Sequence, residues 1–469
     1  VTPTSTERPD TRRFTRGIVA IVVVLAVLCA GFLVLDYLHG PKLSSATVDT
    51  RQVVSQANQQ LRMFADQNLA AVRRSQVTIT PAASFTVRSS GQQIAVQFTE
   101  RLEYSQRYTV TVKRATSIYQ DQPATLSYAF TTDAGRLYYL HRADPAAASG
   151  DLDTISSTGL RGSAERVVYT GKRIQAFVAF PAVLAVVSIQ DDGTDALSLV
   201  SLDDPSKIEQ LVLPGPGTIT KLQASPDAGV LGFVFTSAGS SADPAYSSDL
   251  MTVDLTAQHT VTPVLGLDGL PLSVLDWAYL SGGTSIVAQG ADQSVLLLDP
   301  KTPKASTPLG VYSALGGSSP DGKSVVVADV FSRMLLTVAT GKTHRIETHQ
   351  VGGAKAYGGD LALVGDGSGS VQQVAVFDEA TGQYASYVIY QSGAKTRILY
   401  GGKDFTGSID GFSVSPNGQF VAINVVPDYA TSVSDGYAVD PRATSITTVF
   451  VDVATGAVVR SVTGFDESW

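Results

Sequence analysis

Few stretches of this 469-residue chain combine the residue types and spacing that chemistry requires. Gly365-Asp366-Gly367-Ser368-Gly369 carries a G-x-G spacing. A dinucleotide site needs a helix N-terminus after such glycines to hold the pyrophosphate. The residues that follow, VQQVAVF, read as a strand, so a β-turn is expected. His344 and His349 suggest a metal pair, but residues five apart on a strand point to opposite faces. With five His and one Cys, a site rich in imidazole or thiolate is not expected. Asp191-Asp192-Gly193-Thr194-Asp195 is acidic enough to suggest calcium. It lacks the longer pattern of oxygen ligands that an EF-hand supplies, and reads as a solvated hairpin turn. No G-x-S-x-G nucleophile elbow and no H-E-x-x-H zinc motif occur. No catalytic residue, cofactor or metal is therefore expected. Trp277 and Trp469 read as core residues, with sugar stacking as the alternative.

Loop length is the better functional signal. The segments 142–151 (RADPAAASGD), 236–249 (TSAGSSADPAYSSD) and 426–444 (VPDYATSVSDGYAVDPRAT) are long connections between short strands. Loops on a rigid scaffold are where binding usually resides. Tyr246, Tyr429 and Tyr437 are the aromatic binding candidates within them. The same segments also read as tolerated surface insertions.

The elements that would position such loops begin with an apolar run, Gly17 to Leu35. About 19 residues at roughly 1.5 Å each give ~28 Å, close to a bilayer core of ~30 Å. Arg8, Arg12, Arg13 and Arg16 precede the run, and Asp36, Tyr37 and His39 follow it. Positive charge stays in the cytoplasm, so residues 1–16 are expected inside and the bulk of the chain outside. The expected span is 17–38, a single-pass transmembrane helix in contact with the lipid bilayer. A cleaved signal is the alternative, but no A-x-A site follows the run, and Leu28 before Cys29 is not the small residue a lipoprotein signal has. Cys29 is the sole cysteine, so no intrachain disulfide can form. The net charge of −8 argues against a nucleic-acid partner. Val1 and the excess of Arg over Lys fit a bacterial, GC-rich gene.

Residues 42–133 read as short strands separated by turns. QIAVQF places Ile94, Val96 and Phe98 on one face, and YTVTV places Tyr108, Val110 and Val112 on one face. About seven strands in roughly 90 residues indicate a β-sandwich. Val77–Pro81, Gly91 with IAVQF, Leu102 with Tyr108-Thr-Val-Thr-Val, and Phe130-Thr131-Thr132 resemble the bacterial Ig-like domain of S-layer-associated proteins. That resemblance implies a spacer or adhesion module. The stretch 51–74 fits it less well and reads equally as a short helix.

Residues 135–469 carry internal repeats. Ser225-Pro226-Asp227 recurs as Ser319-Pro320-Asp321-Gly322 and Ser415-Pro416-Asn417-Gly418. A second marker, an Asp with a Thr-Gly turn after an apolar strand, is fullest in VFDEATG (376–382) and VFVDVATG (449–456). Aligned on the Asp, the units fall near 155, 203, 254, 299, 337, 378 and 452. Repeats of about 40–50 residues with such turns indicate a β-propeller. The pattern resembles TolB-type and other WD-repeat-like propellers. Seven blades are expected. Eight stay open, because TRILYGG (396–402) reads as an additional strand in the sixth. RLYYLHR (136–142) looks like a second strand with no inner strand before it, and Gly464–Trp469 looks like that missing inner strand.

The expected protein is all-β with one N-terminal transmembrane helix: an Ig-like sandwich and a propeller held outside a bacterial membrane. The expected function is non-catalytic recognition or scaffolding in the cell envelope, with a protein partner or a cell-wall glycan bound through the propeller. A propeller enzyme acting on glycans or small molecules, and an accessory subunit of a membrane sensor or secretion complex, are the alternatives.

Overall fold

The computed structural model describes residues 16, 18–28, 39–144, 152–160, 165–239, 245–302, 306–348, 350–365, 367–379 and 381–469. Of the expected transmembrane span, residues 18–28 are helical, with large apolar side chains such as Ile21 and Val27 exposed. Residues 17 and 29–38 lie outside the described residues. Among the described residues no helix is long and apolar enough to cross a membrane.

The rest of the chain is strands, in two compact units. The first comprises residues up to Val53, Asn58–Glu100 and Gln106–Thr131. Its seven strands are β1 (Leu43–Thr47), β2 (Gln60–Ala65), β3 (Val77–Thr80), β4 (Phe85–Ser90), β5 (Gln93–Phe98), β6 (Arg107–Ala115) and β7 (Ala124–Thr131). They form one sheet of order β1-β2-β5-β4 and a second of order β3-β6-β7. Strict alternation puts Ile94, Val96 and Phe98 of β5, and Tyr108, Val110 and Val112 of β6, into the core. Phe98 and Phe130 join the sheets, with ring centroids 6.1 Å apart. The ambiguous stretch 51–74 divides into a helical turn, Gln52–Ser55, and strand β2, which buries Leu61, Met63 and Ala65.

The second unit, which holds Thr132–Trp469, is a ring of seven four-stranded antiparallel sheets. Blade 1 contains β8 (Leu137–His141), β9 (Asp153–Thr158) and β10 (Arg166–Gly171). Blade 2 is β11 (Ile174–Ala179), β12 (Val183–Ile189), β13 (Asp195–Ser201) and β14 (Ile208–Gln210). Blade 3 is β15 (Gly217–Ser225), β16 (Val230–Ser237), β17 (Asp249–Asp254) and β18 (Thr262–Pro263). Blade 4 is β19 (Val274–Tyr279), β20 (Ile286–Gly290), β21 (Ser294–Leu298) and β22 (Thr307–Val311). Blade 5 is β23 (Ala314–Ser318), β24 (Ser324–Ala328), β25 (Arg333–Thr337) and β26 (Lys342–Ile346). Blade 6 is β27 (Ala356–Val364), β28 (Gly369–Asp378), β29 (Gln383–Ser392) and β30 (Lys395–Gly401). Blade 7 is β31 (Ser408–Val414), β32 (Phe420–Val426), β33 (Thr447–Asp452) and β34 (Val458–Thr463). The last strand, β35 (Phe465–Ser468), pairs with β8 and is the inner strand of blade 1. The inner strands touch in ring order, and Ser413 of β31 bonds to Glu467 of β35. A closed ring of radial sheets is a β-propeller.

The Ser-Pro-Asp turns of blades 3 and 5 and the Ser-Pro-Asn turn of blade 7 join inner to second strands. In blade 5, Ser319 Oγ donates to Asp321 Oδ1 and accepts the Ser324 N–H, and Gly322 takes a φ of 68°. Blade 6 departs from the repeat alignment. VFDEATG (376–382) falls on the hairpin between its second and third strands, not between third and outer. The extra segment TRILYGG is β30, the ordinary outer strand of that blade. Blade 6 has the longest strands of the ring, β28 and β29 at ten residues each, and this shifts its Asp-Thr-Gly turn to the other end.

Candidate functional site

In an antiparallel blade, the loops from second to third strand and from outer strand to the next blade share one face. That face carries the three long connections, after β8, β16 and β32. Residues 145–151 and 240–244 of the first two lie outside the described residues.

Adjacent blades are stapled on this face by the first residues of the third strands. Asp153 Oδ2 accepts the Ile174 N–H at 2.6 Å, and Asp195 Oδ2 accepts the Ile219 N–H at 2.6 Å. Arg333 Nη1 donates to Gly358 O at 2.8 Å, and Thr448 Oγ1 lies 2.7 Å from Gly464 O. Charge-assisted bonds to backbone are the stronger kind, so the position is kept while its chemistry varies.

Blades 7, 1 and 2 meet at a buried Arg142–Asp435 pair. The Nη1–Oδ2 distance is 2.6 Å, and each side chain is 2% exposed. Arg142 Nε also donates to Ile174 O at 3.1 Å, and Nη2 to Gln175 O at 2.6 Å. Its guanidinium lies over the Tyr437 ring at 3.8 Å and over Phe465 at 4.9 Å. Tyr437 Oη donates to Asp153 Oδ2 at 2.5 Å. Burial, then that carboxylate, push the phenol far above its ordinary value, so it stays a donor. Arg442 Nη1 bonds Asp410 Oδ2 at 2.7 Å, and its guanidinium lies 5.5 Å from the centroid of the Phe465 ring. The long blade 7 connection is thus fixed to the ring at both of its arginine contacts. Arg142, Asp435, Tyr437 and Asp153 spend these bonds on one another and on backbone, which suits them to hold a loop, not to attack a substrate.

The three tyrosine candidates separate in the structure. Tyr437 is the strut just described. Tyr246 packs edge-on against Phe235 of the blade 2–3 core, 6.1 Å between centroids, and borders a cleft of about 430 Å³ beside His259. Tyr429 alone projects outward, 69% exposed. Other exposed apolar side chains share its face: Val330 and Phe331 in the blade 5 hairpin, with Phe331 90% exposed, and Tyr357, Phe377 and Tyr384 at the same end of blade 6. Tyr384 contacts Phe377 at 5.1 Å and Tyr357 at 6.0 Å between centroids. An arc over blades 5–7 therefore presents rings to solvent. Sequence reading missed this arc, because alternation places Phe377 and Tyr384 on a strand without saying which face of the blade is covered. Trp277 is a buried inner-strand residue, and Trp469 donates through Nε1 to Ser413 Oγ at 3.1 Å.

The acidic turn 191–195 is a hairpin between β12 and β13. Asp192 Oδ1 accepts both the N–H and the hydroxyl of Thr194, which lowers its pKa. The Gly365–Gly369 segment joins β27 to β28, with Gly365 at φ 65° and Gly367 at φ 87°. His344 sits in β26, and His349 lies outside the described residues. No group of three or more His, Cys, Asp or Glu able to hold a metal occurs among the described residues.

Two adjacent acids occupy the closing strand. Glu467 Oε1 lies 2.6 Å from Thr448 Oγ1, which is also 2.9 Å from Asn424 Oδ1. Burial raises the pKa of Glu467. Burial is also the largest cause at Asp466, whose pKa is pushed up to about 6, with Arg442 opposing and Asp440 and Glu467 reinforcing. A carboxyl with a raised folded pKa adds stability below its unfolded value and loses it as pH rises through the folded one. Asp466→Asn is therefore expected to stabilise the protein at pH 7.5, by at most about 3 kcal/mol at ~1.4 kcal/mol per tenfold in proton affinity. At pH 4 the gain should vanish. Asn tolerates the backbone, which has φ 56° there. Urea melts of both proteins at the two pH values test this, and an equal gain at both would remove the ionisation argument.

No family model matches the chain, and no curated protein does. Solved structures do. A Vibrio parahaemolyticus oligogalacturonate lyase is 10% identical, with 70% of this chain and 86% of that one covered at a TM-score of 0.44. A Bacteroides uniformis protein provisionally named 6-phosphogluconolactonase is 13% identical, with 71% and 96% covered at 0.42. The Swd1 β-propeller domain of Myceliophteria thermophila is 11% identical, with 62% and 87% covered at 0.38. Such distant likenesses carry nothing about activity, and the β-propeller fold of residues 132–469 rests on the order and closure of its own sheets.

Proposed function

We propose that this chain is a non-catalytic recognition or scaffold protein of a bacterial cell envelope. In this reading 17–38 anchors it in the membrane, with 1–16 cytoplasmic. The unit from 42 to 133 is an Ig-like spacer, and the propeller binds a protein partner. The observation that carries the reading is the exposed arc of Phe331, Tyr384 and Tyr429 on the loop-bearing face. Aromatic residues dominate the energetics of protein interfaces. The aliphatic neighbours Val330 and Val433, also exposed, favour a protein over a glycan, which stacks on rings and bonds to polar groups.

The test is crosslinking of the full-length protein in native membranes, with Phe331→Ala, Tyr384→Ala and Tyr429→Ala as variants. Each ring sits at the surface, so melting temperature should hold. Recovery of one reproducible envelope protein is expected, falling about 10- to 100-fold where a ring is an interface hot spot, ~1–3 kcal/mol each. A membrane partner would also fit the accessory-subunit reading. Recovery of wall glycan alone would replace the protein partner by a glycan. Recovery of neither would favour a propeller enzyme, whose support is the raised pKa of Asp466 beside Glu467.

A further inference from the structure

Arg142, Asp435 and Tyr437 show how this chain holds an arginine. In Asp435-Gly436-Tyr437, Asp435 Oδ1 accepts the Tyr437 N–H at 3.2 Å, and Oδ2 takes Arg142 Nη1 at 2.6 Å. The guanidinium lies over the Tyr437 ring at 3.8 Å. A carboxylate and a ring two residues apart thus grip one guanidinium, through charge and through the ring face.

The same arrangement recurs, without an arginine, at the tip of the blade 5 hairpin. In Asp329-Val330-Phe331, Asp329 Oδ1 accepts the Phe331 N–H at 2.8 Å and the Ser332 N–H at 2.6 Å. Those backbone bonds hold the carboxyl below its ordinary pKa, so it is charged at neutral pH. Its Oδ2 accepts no bond among the described residues, and the Phe331 ring is exposed. The matching connections of blades 6 and 7 also set an exposed carboxylate near an exposed ring: Glu379 two residues from Phe377, and Asp428 next to Tyr429. We propose that these tips bind arginine side chains of the protein partner, and that Asp329 and Phe331 take one guanidinium as Asp435 and Tyr437 take that of Arg142. This rests on the protein-partner reading of the aromatic arc and adds the chemistry of the partner's surface.

The charges of the arc favour that occupant. Its exposed cations are engaged: Arg345 with Glu347 at 3.1 Å, Lys403 with Asp378 at 3.6 Å, and Lys355 over the Tyr357 ring at 5.1 Å. The exposed carboxylates Asp329, Glu379, Asp404 and Asp428 form no ion pair among the described residues. The arc therefore offers negative charge beside ring faces, which an acidic or a purely apolar partner cannot use. A second copy of the same face would bring like charges together. Lysine can meet the carboxylate, but its compact, strongly hydrated ammonium lacks the flat face that covers a ring.

Three labelled peptides, glycine alternating with arginine, lysine or citrulline, differ only in the side-chain head. Fluorescence anisotropy against the full chain in phosphatidylcholine nanodiscs compares them at ~0.15 M salt. The arginine peptide is expected to bind about tenfold more tightly than the lysine peptide, and the citrulline peptide not measurably. Asp329→Asn and Phe331→Ala should each weaken the arginine peptide about three- to fivefold, the worth of one exposed charge pair or ring contact. Asn keeps the oxygen that caps the turn, so the melting temperature should hold. Asp192→Asn removes a charge from a hairpin of the same face that has no aromatic residue, and should change binding by less than about twofold. Equal binding of the arginine and lysine peptides, binding of neither, or an arginine affinity unchanged in either tip variant would overturn the proposal. Crosslinking of an envelope protein through Phe331, with no preference for arginine, would remove this inference and leave the partner reading standing.

Discussion

Replacing Arg142 by Met should lower the stability of the propeller by about 3–5 kcal/mol, the usual cost of leaving a buried charge without its partner. Asp435, 2% exposed, would lose the one cation it pairs with among the described residues. The carbonyls of Ile174 and Gln175 would lose donors as well. Met keeps much of the volume, so packing contributes little to the loss. The pair itself is not expected to be worth that sum, because taking both charges out of water offsets most of their attraction. The double variant Arg142→Met, Asp435→Leu should therefore recover most of the stability. Urea unfolding of the three variants decides between the two accounts. If the single variant loses under 1 kcal/mol, the strut is not buried as described. If the double variant is as unstable as the single, the bonds to Ile174 and Gln175 matter more than the ion pair.

The strut also shows which parts of this molecule could be read from sequence. The Ser-Pro-Asp turns at 225 and 319 and the Ser-Pro-Asn turn at 415 have local chemistry, so their spacing marks every second blade. The strand 465–468 was legible because RLYYLHR lacked an inner partner and a ring needs one. Blade 6 misled for a physical reason. An Asp-Thr-Gly turn closes any hairpin, and nothing local says whether that hairpin precedes or follows the third strand. The contact of Arg142 with Asp435 and Tyr437 left no local signal. They are 293 and 2 residues apart in turn, and only the closure of the ring brings the arginine to the loop. Tyr437 was a candidate because it is an aromatic in a long loop, but its hydroxyl faces Asp153. Tyr429, eight residues earlier in the same loop, shows why composition alone could not separate the two. The expected transmembrane span extends over residues 17 and 29–38, outside the described part, and stays an expectation.

Phe465→Ala should be the most damaging single change in the closing strand. The side chain is 2% exposed in the core that joins blades 1 and 2. Truncating a buried Phe costs about 3–5 kcal/mol through lost transfer energy and the cavity left behind. The guanidinium groups of Arg142 and Arg442 lie 4.9 and 5.5 Å from the ring centroid, so both would lose a cation–π contact. Phe465→Leu separates these effects. Leu keeps most of the apolar volume and removes only the ring face, so a loss below about 1.5 kcal/mol is expected. The location of the damage matters as much as its size. β35 is a four-residue strand paired to β8 at Phe465–Leu140 and Ser468–Tyr138, and beyond that pairing it is held by side-chain bonds of Glu467 to blade 7 and of Ser468 to blade 2. When it detaches, β8 becomes a free inner edge and blade 7 loses the neighbour that Glu467 and Thr448 provide. Amide exchange in Phe465→Ala should therefore accelerate first in β8 and β31, while β19 and β20 of blade 4 keep their protection. Uniform acceleration around the ring would mean that the propeller unfolds as one unit and the seam is no weaker than any other blade boundary. Because Arg142 touches the same ring, its loss and that of Phe465 should not add, and a double variant less than the sum of the two would place the strut and the seam in one cooperative structure.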